Sequence, residues 1–270
     1  MPIKDLLVHL DLGERTAARL DMAVAIAQRR QAKLTGLFGQ RAAAHVVGVV
    51  ANWPSEEYAR AAAASKAAFE RAGAGLAQAA WLDVNRGSDA ALVSRITTLA
   101  RYADLVLLGQ HDDGVAGHVP PELAEEVISN AGRPVLMVPY AGKFTSTFKR
   151  PLIAWNDSRE AAHALAGALP LIEGCGEAIV LSLATRHEEA QTSCAAVEAH
   201  LASHGIAAIS EILVVEDAGI MDVLLNRVSD HGADLLVMGA HSQVGFPFLS
   251  RGAGTRHILR SMTVPVLMAN

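Results

Sequence analysis

Residues 233–270 read ADLLVMGAHSQVGFPFLSRGAGTRHILRSMTVPVLMAN. Asp234 to Met238 is a short Leu- and Val-rich run that ends at Gly239, as a strand buried on both faces does. A glycine-containing loop follows, from Gly239 to Gly245. Gly252-Ala-Gly-Thr255 then opens a helical pattern through Arg256, His257, Ile258, Leu259 and Met262. Val264-Pro-Val-Leu-Met268 closes as a second buried strand. Strand, glycine loop, helix start and strand together offer backbone N–H groups and a helix N-terminus to a phosphate.

Working outward, the same pattern occurs earlier in the chain. Asp104-Leu-Val-Leu-Leu-Gly-Gln-His111 aligns with Asp234-Leu-Leu-Val-Met-Gly-Ala-His241. Arg133-Pro-Val-Leu-Met137 aligns with Val264-Pro-Val-Leu-Met268, and Val8-His-Leu-Asp11 with Ile153-Ala-Trp-Asn156. The offset is 130 residues at the first pair and 145 at the last, so the first half carries an insertion, placed at Gln40 to Pro54 and read as irregular. This is an internal repeat. Each copy alternates strand and helix, which calls for a parallel sheet covered on both faces. Ser55 reads as a helix cap before Glu56 and Glu57. Ser88 or Asp89, and Asp157 or Ser158, read as caps of later helices. Tyr140 to Arg150 is polar and reads as a linker. The boundaries expected are one domain over 1–141 and another over 150–270.

The last strand–loop–helix–strand resembles the signature region of the universal stress protein family. That pattern is Gly, two residues, Gly, nine residues, Gly, then Ser or Thr. Gly239 and Gly252 match the first and third positions; Ser242 and Ala253 stand at the second and fourth. His241 and the closing Val-Pro-Val-Leu-Met also resemble the family. The resemblance implies two tandem Rossmann-like, adenine-nucleotide-hydrolase-like domains, each a five-stranded parallel sheet. It implies that Val135 to Val138 lies beside Val266 to Met268, making the chain a built-in dimer that could itself pair as a homodimer. It further implies a cytoplasmic protein of stress responses, some members of the family binding ATP and others not.

Bulk properties narrow the function. The chain has 270 residues, 51% of them hydrophobic, so a large core can be buried. No apolar run is long enough to span a bilayer, and the start runs directly into a strand without the layout of a signal peptide. A formal charge of −5 without a basic cluster argues against nucleic acid or an anionic membrane as partner. Two cysteines, Cys175 and Cys194, have no metal or redox spacing. No Gly-x-x-x-x-Gly-Lys loop, Gly-x-Gly-x-x-Gly turn or Gly-x-Ser-x-Gly elbow is present, which weakens kinase, dehydrogenase and hydrolase readings.

The candidate binding residues gather in the second half: Trp155, Asn156, Ser158, Gly239, His241, Ser242, Gly252, Ala253, Gly254 and Thr255. The family places an aspartate on the adenine and ribose at the position of Asn156, whose amide can donate and accept but brings no charge. Asn156-Asp157-Ser158 also reads as a plain turn and cap. The Ser242 hydroxyl could serve as a donor, and Thr255 could supply the hydroxyl that Ala253 lacks. Arg251 and Arg256 bracket the helix start. Phe246 and Phe248 read as packing residues. His241 and His257 lack triad spacing and read as structural, so no catalytic residue is assigned and at most a weak ATPase is expected. In the first half Asp11 keeps the family's aspartate, but Asp112, Asp113 and Glu122 stand where a phosphate would sit and would repel it. His111, Asp112, Asp113 and His118 are metal-type ligands without fixed spacing, so a solvated acidic loop is the better reading and no metal is assigned. The expected ligand is ATP in the second half; the alternative is a scaffold or a small-molecule or lipid sensor that has lost ATP.

Overall fold

The computed structural model of the chain describes residues 2–41, 45–47, 50–52, 55–84, 87–112, 118–215, 219–241 and 252–270. The elements of the first half are β1 (Asp5–Leu10), α1 (Thr16–Arg30), β2 (Lys33–Phe38), β3 (His45–Val47), β4 (Val50–Asn52), α2 (Glu56–Ala72), β5 (Ala79–Asp83), α3 (Asp89–Ala100), β6 (Leu105–Gly109), α4 (Leu123–Asn130) and β7 (Val135–Val138). Those of the second are β8 (Pro151–Ala154), α5 (Arg159–Ile172), β9 (Ala178–Ala184), α6 (His187–Ser203), β10 (Ala208–Val214), α7 (Ile220–Asp230), β11 (Leu235–Gly239), α8 (Ala253–Ser261) and β12 (Val266–Ala269).

One sheet of ten strands runs through the molecule in the order β10-β9-β8-β11-β12-β7-β6-β1-β2-β5. Read outward from the centre, the two halves have the same order, five strands each. Pairing is parallel within each half. At the centre β12 and β7 pair antiparallel, Leu267 opposite Leu136 and Met268 opposite Val135. The expected meeting of the closing strands is therefore present, inside one chain.

Alternation along the strands sorts the side chains onto two faces. Leu6, Val8 and Leu10 of β1 join a core with α1, α2, α5 and α6. Leu7, with Val106 and Leu108 of β6, joins a second core with α3, α4, α7 and α8. Both faces of the sheet are thus covered, which is why its central strands are apolar runs without a polar face.

Caps set the helix starts. The Ser55, Ser88 and Ser158 side chains accept from the N–H groups of Tyr58, Ala91 and Ala161; of the two alternatives read for each later helix, serine is the cap. The repeat's aspartates fix the strand starts. Asp104 Oδ2 accepts from Lys4 N and Asp5 N at 2.8 and 3.0 Å. Asp234 accepts from Lys149 N and Arg150 N at 2.6 and 3.0 Å.

Three details differ from the sequence reading. The insertion contains a short antiparallel pair, β3 with β4; residues 42–44, 48–49, 53 and 54 of it lie outside the described ones. α2 stops at Ala72 with Gly73 as its cap, whereas the alanine-rich sequence after Ser55 reads as a helix to about Gln78. The segment 140–150 is polar in composition yet docked. Phe148 is buried in the core, and Arg29 of α1 donates to Thr147 Oγ1 at 2.6 Å. One buried ring is enough to anchor a polar stretch, and composition averages it away.

Candidate functional site

In sheets of this kind, ligands bind outside the carboxyl ends of the strands at the switch point. Each half has one such place, beside the first strand and its neighbour: β1 with β6, and β8 with β11. The two are built differently.

In the second half, β8 ends before Trp155-Asn156-Asp157-Ser158. Asp157 takes a left-handed backbone, φ 57°, which turns the chain into α5. The Ser158 hydroxyl donates to Asn156 Oδ1 at 2.7 Å and accepts from Ala161 N at 3.1 Å. The Trp155 indole donates to Ser193 Oγ of α6 at 2.7 Å, so its ring serves the helix layer. Gly239 ends β11 directly against α5: a Cβ there would lie 2.6 Å from Ala161 N and 2.9 Å from Glu160 Cβ. Close helix packing explains this glycine without a ligand.

The two described ends of the loop meet. His241 stands at φ 58°, and its N–H donates to Thr255 Oγ1 at 3.0 Å; Thr255 is buried. Gly252 has φ 78° and opens α8 without a side-chain cap. A Cβ on Gly252 would come within 2.9 Å of the His241 ring. Gly254 faces Met221 of α7, 3.2 Å from where its Cβ would be, so it sets the helix–helix approach. Gly239, His241, Gly252 and Thr255 therefore form one neighbourhood, with Ala253 at the helix start beside it. Ser242, Arg251, Phe246 and Phe248 lie outside the described residues, as does Asp113 of the first half.

His241 also touches the other half. Ser129 Oγ of α4 lies 3.3 Å from its Nε2 and 3.4 Å from its Nδ1, and Glu125 Oε1 lies 3.5 Å from the same Nε2. A catalytic triad needs acid and hydroxyl at opposite ring nitrogens. Here both crowd one edge, so the cluster holds the ring in place and does not activate the serine. His257 pairs with Asp222 of α7 at 2.9 Å, a partly exposed surface contact.

In the first half the equivalent place holds a buried charge cluster. Asp11 Oδ1 accepts from Gly13 N at 2.7 Å and from the Thr16 hydroxyl. Its Oδ2 is 3.1 Å from Arg19 Nη2. Burial would raise the Asp11 pKa, but Arg19, His9 and these hydrogen bonds outweigh it and hold the carboxyl well below its usual range. His9 is buried, and its Nε2 donates to Gly39 O at 2.7 Å; among the described residues Nδ1 has no hydrogen-bond partner and lies 3.7 Å from Asp11 Oδ2. Desolvation lowers its pKa to about 4, against the pull of Asp11, so the ring is neutral near pH 7. Arg19 sits over Gly109, where a Cβ would be 2.1 Å from Nη1. The sequence reading missed Arg19. Its signal was a cation on the buried stripe of α1, among Leu20, Ala23 and Ala27, which demanded a buried carboxylate partner.

Among the described residues no group of three or more His, Cys, Asp or Glu side chains is placed to hold a metal ion. Both cysteines are free, and burial raises each thiol's pKa. Among the described residues no helix is long and apolar enough to cross a membrane.

A sequence model of the universal stress protein family matches the chain twice, over residues 2–139 and over 147–270. The chain belongs to the universal stress protein family. As a tandem member, this universal stress protein has solved counterparts of its full length. Its structure is similar to that of a universal stress protein from Archaeoglobus fulgidus DSM 4304 with TM-score 0.69 and 16% identity, over 98% of this chain and 96% of that one. It is also similar to a Pseudomonas aeruginosa UCBPP-PA14 protein described as belonging to the same family, with TM-score 0.59 and 16% identity, over 99% and 93% of the two chains. At such identities the likeness speaks for the fold alone. No curated protein sequence matches this universal stress protein significantly.

Proposed function

We propose that this universal stress protein is a binding and regulatory component of the stress response, and that its second half takes an adenine nucleotide at the start of α8. The carrying observation is the opening of that helix. Gly252 is left-handed and supplies no side-chain cap, and among the described residues the first-turn N–H groups of Ala253, Gly254 and Thr255 have no partner, which suits them to an anion. The His241–Thr255 bond holds this helix start beside the end of β11, and Asn156 lies across the strand ends as the polar side chain for the base or ribose. The free thiols are in keeping with a reducing, cytoplasmic setting. No base or metal carboxylate is assigned to the loop, so binding without significant turnover is the expected behaviour.

A second reading is a scaffold or small-molecule sensor that has given up nucleotides. It is favoured by the first turn of α5, which packs directly on Gly239, and by the internal engagement of the Ser158 and Thr255 hydroxyls.

One titration separates the two. Millimolar ATP should raise the thermal midpoint of the full chain, because a ligand bound only to the native state stabilises it. Ala253→Asp should remove that rise while leaving the unliganded midpoint unchanged or higher. A carboxylate in the first turn repels phosphate but suits the helix dipole. An unmoved midpoint with the unaltered protein rejects the nucleotide reading in favour of the second.

A further inference from the structure

α6 carries two histidines that neither the core nor the nucleotide reading uses. The helix turns Cys194, Val197 and Leu201 into the core against β9 and β10 and leaves His200 and His204 exposed. The two are four residues apart, so they stand on one face of the helix, one turn above the other. His204 closes the helix, and its backbone, at φ −95° and ψ 8°, is near enough to helical to keep its ring on that face. The ring centres lie 4.8 Å apart, with the planes inclined at 70°. Among the described residues no ring nitrogen of either side chain has a hydrogen-bond or ion-pair partner. Elsewhere the chain engages such nitrogens: His9 on Gly39 O, His163 on Asn270 O, His231 on Glu211 and His257 on Asp222.

Two imidazoles that share one metal ion bind it through nitrogen at about 2.1 Å, which puts their ring centres about 5 Å apart. The helix already holds these rings at that spacing. The surrounding charge also favours a cation. The 40 residues from His187 to Asn226 contain no Lys or Arg and seven Asp or Glu. The pair stands at the carboxyl end of α6, the negative end of the helix dipole. We propose that His200 and His204 together bind a late first-row transition-metal dication, copper more tightly than nickel or zinc. Imidazole nitrogen suits these ions, whereas magnesium and calcium ask for oxygen ligands. Two protein ligands leave the other coordination positions to water, so the site is open and exchangeable, unlike a closed structural one. It uses no residue of the nucleotide reading and is tested separately from it.

The test uses the full chain, stripped of metals with EDTA and titrated with Cu2+ by calorimetry in a non-coordinating buffer. The wild-type chain should bind Cu2+ saturably. His200→Gln and His204→Gln should each weaken that binding at least about tenfold, because each removes one arm of a chelate. The copper paramagnetic resonance spectrum should show coupling to two imidazole nitrogens in the wild type and to one in either variant. Millimolar Ni2+ should raise the thermal midpoint of the wild type and leave both variants unmoved. Without metal the three midpoints should agree, since the rings make no other polar contact. A spacing control adds Ala202→His to His204→Gln. It restores the number of histidines but puts the second ring on another face of the helix, and it should not restore affinity. Three results overturn the proposal: no saturable Cu2+ binding, wild-type affinity in either single variant, or full recovery of affinity with Ala202→His.

Discussion

Glu125 of α4 and Arg256 of α8 meet 2.8 Å apart across the junction of the two halves. Around them Asn270 donates to Ser129 O at 3.1 Å, and Gln110 donates to Arg260 O at 3.0 Å. The loop end of the second half thus leans on a helix of the first, and the start of that helix, Leu123 and Ala124, lines a cavity at the carboxyl ends of β1 and β6 in the first half. Both charges are partly exposed, at 32% and 43%, so water competes for them. Glu125→Gln should cost less than about 1 kcal/mol in urea unfolding, and the difference from wild type should shrink further in high salt. A loss of several kcal/mol would show that the pair is far better desolvated than this geometry implies.

His9 makes stability depend on pH. In the folded chain its pKa is about 4, against an ordinary 6.5. Between those values the unfolded chain binds more protons than the native one, so stability rises with pH across the window. The contribution is complete above pH 6.5 and is lost as pH falls toward 4, amounting to on the order of 3 kcal/mol. His9→Gln keeps an N–H for Gly39 O and does not titrate. Unfolding free energies measured from pH 7 to pH 4 should fall less steeply in that variant; identical slopes would remove His9 as the cause.

Two glycines aligned in the repeat carry different burdens. A Cβ at Gly239 meets the backbone N of Ala161 at 2.6 Å, and a helix start cannot shift cheaply. A Cβ at Gly109 meets the tip of one side chain, Arg19 Nη1, at 2.1 Å. Gly239→Ala should therefore cost about 1–3 kcal/mol through overpacking. Gly109→Ala should act through Arg19, expelling the guanidinium and raising the Asp11 pKa toward its usual range. Carboxyl NMR titration of the two variants separates these effects: only the second should move Asp11.

How much of this was legible follows from what each residue answers to. The repeat, the strand ends at Gly109 and Gly239 and the serine caps answer to local rules, and local rules can be read in order along the chain. The joining of Val135–Val138 to Val266–Met268 came from family resemblance, since nothing local in two short apolar runs says that they pair antiparallel. The β3–β4 pair was missed because its strands are three residues each, too short for alternation to show. The Asp11–Arg19 pair was half visible: Asp11 stood out by position, whereas Arg19 passed as one more charge on a helix. Its meaning depends on Gly109, far along the chain, leaving space for it. Gly239 looked like a ligand glycine for the opposite reason, because the sequence does not show that α5 lies on top of it.

The aspartates before β6 and β11 give the sharpest test of the repeat. Each carboxylate gathers two consecutive backbone N–H groups at the start of its half's first strand, Lys4 and Asp5 for Asp104, Lys149 and Arg150 for Asp234. Those donors would otherwise sit at strand ends with no ladder partner, and a carboxylate accepts from both where an amide cannot match its charge. Asp104→Asn and Asp234→Asn should each cost about 1–3 kcal/mol. Since the two sites share no partner, the double variant should lose close to the sum of the singles. Urea unfolding of the three variants measures this directly. Equal single losses with an additive double would show that the two halves inherited one anchoring device and still use it. A large loss at one site and none at the other would mean that the halves have diverged in how they hold β1 and β8, despite the matching geometry.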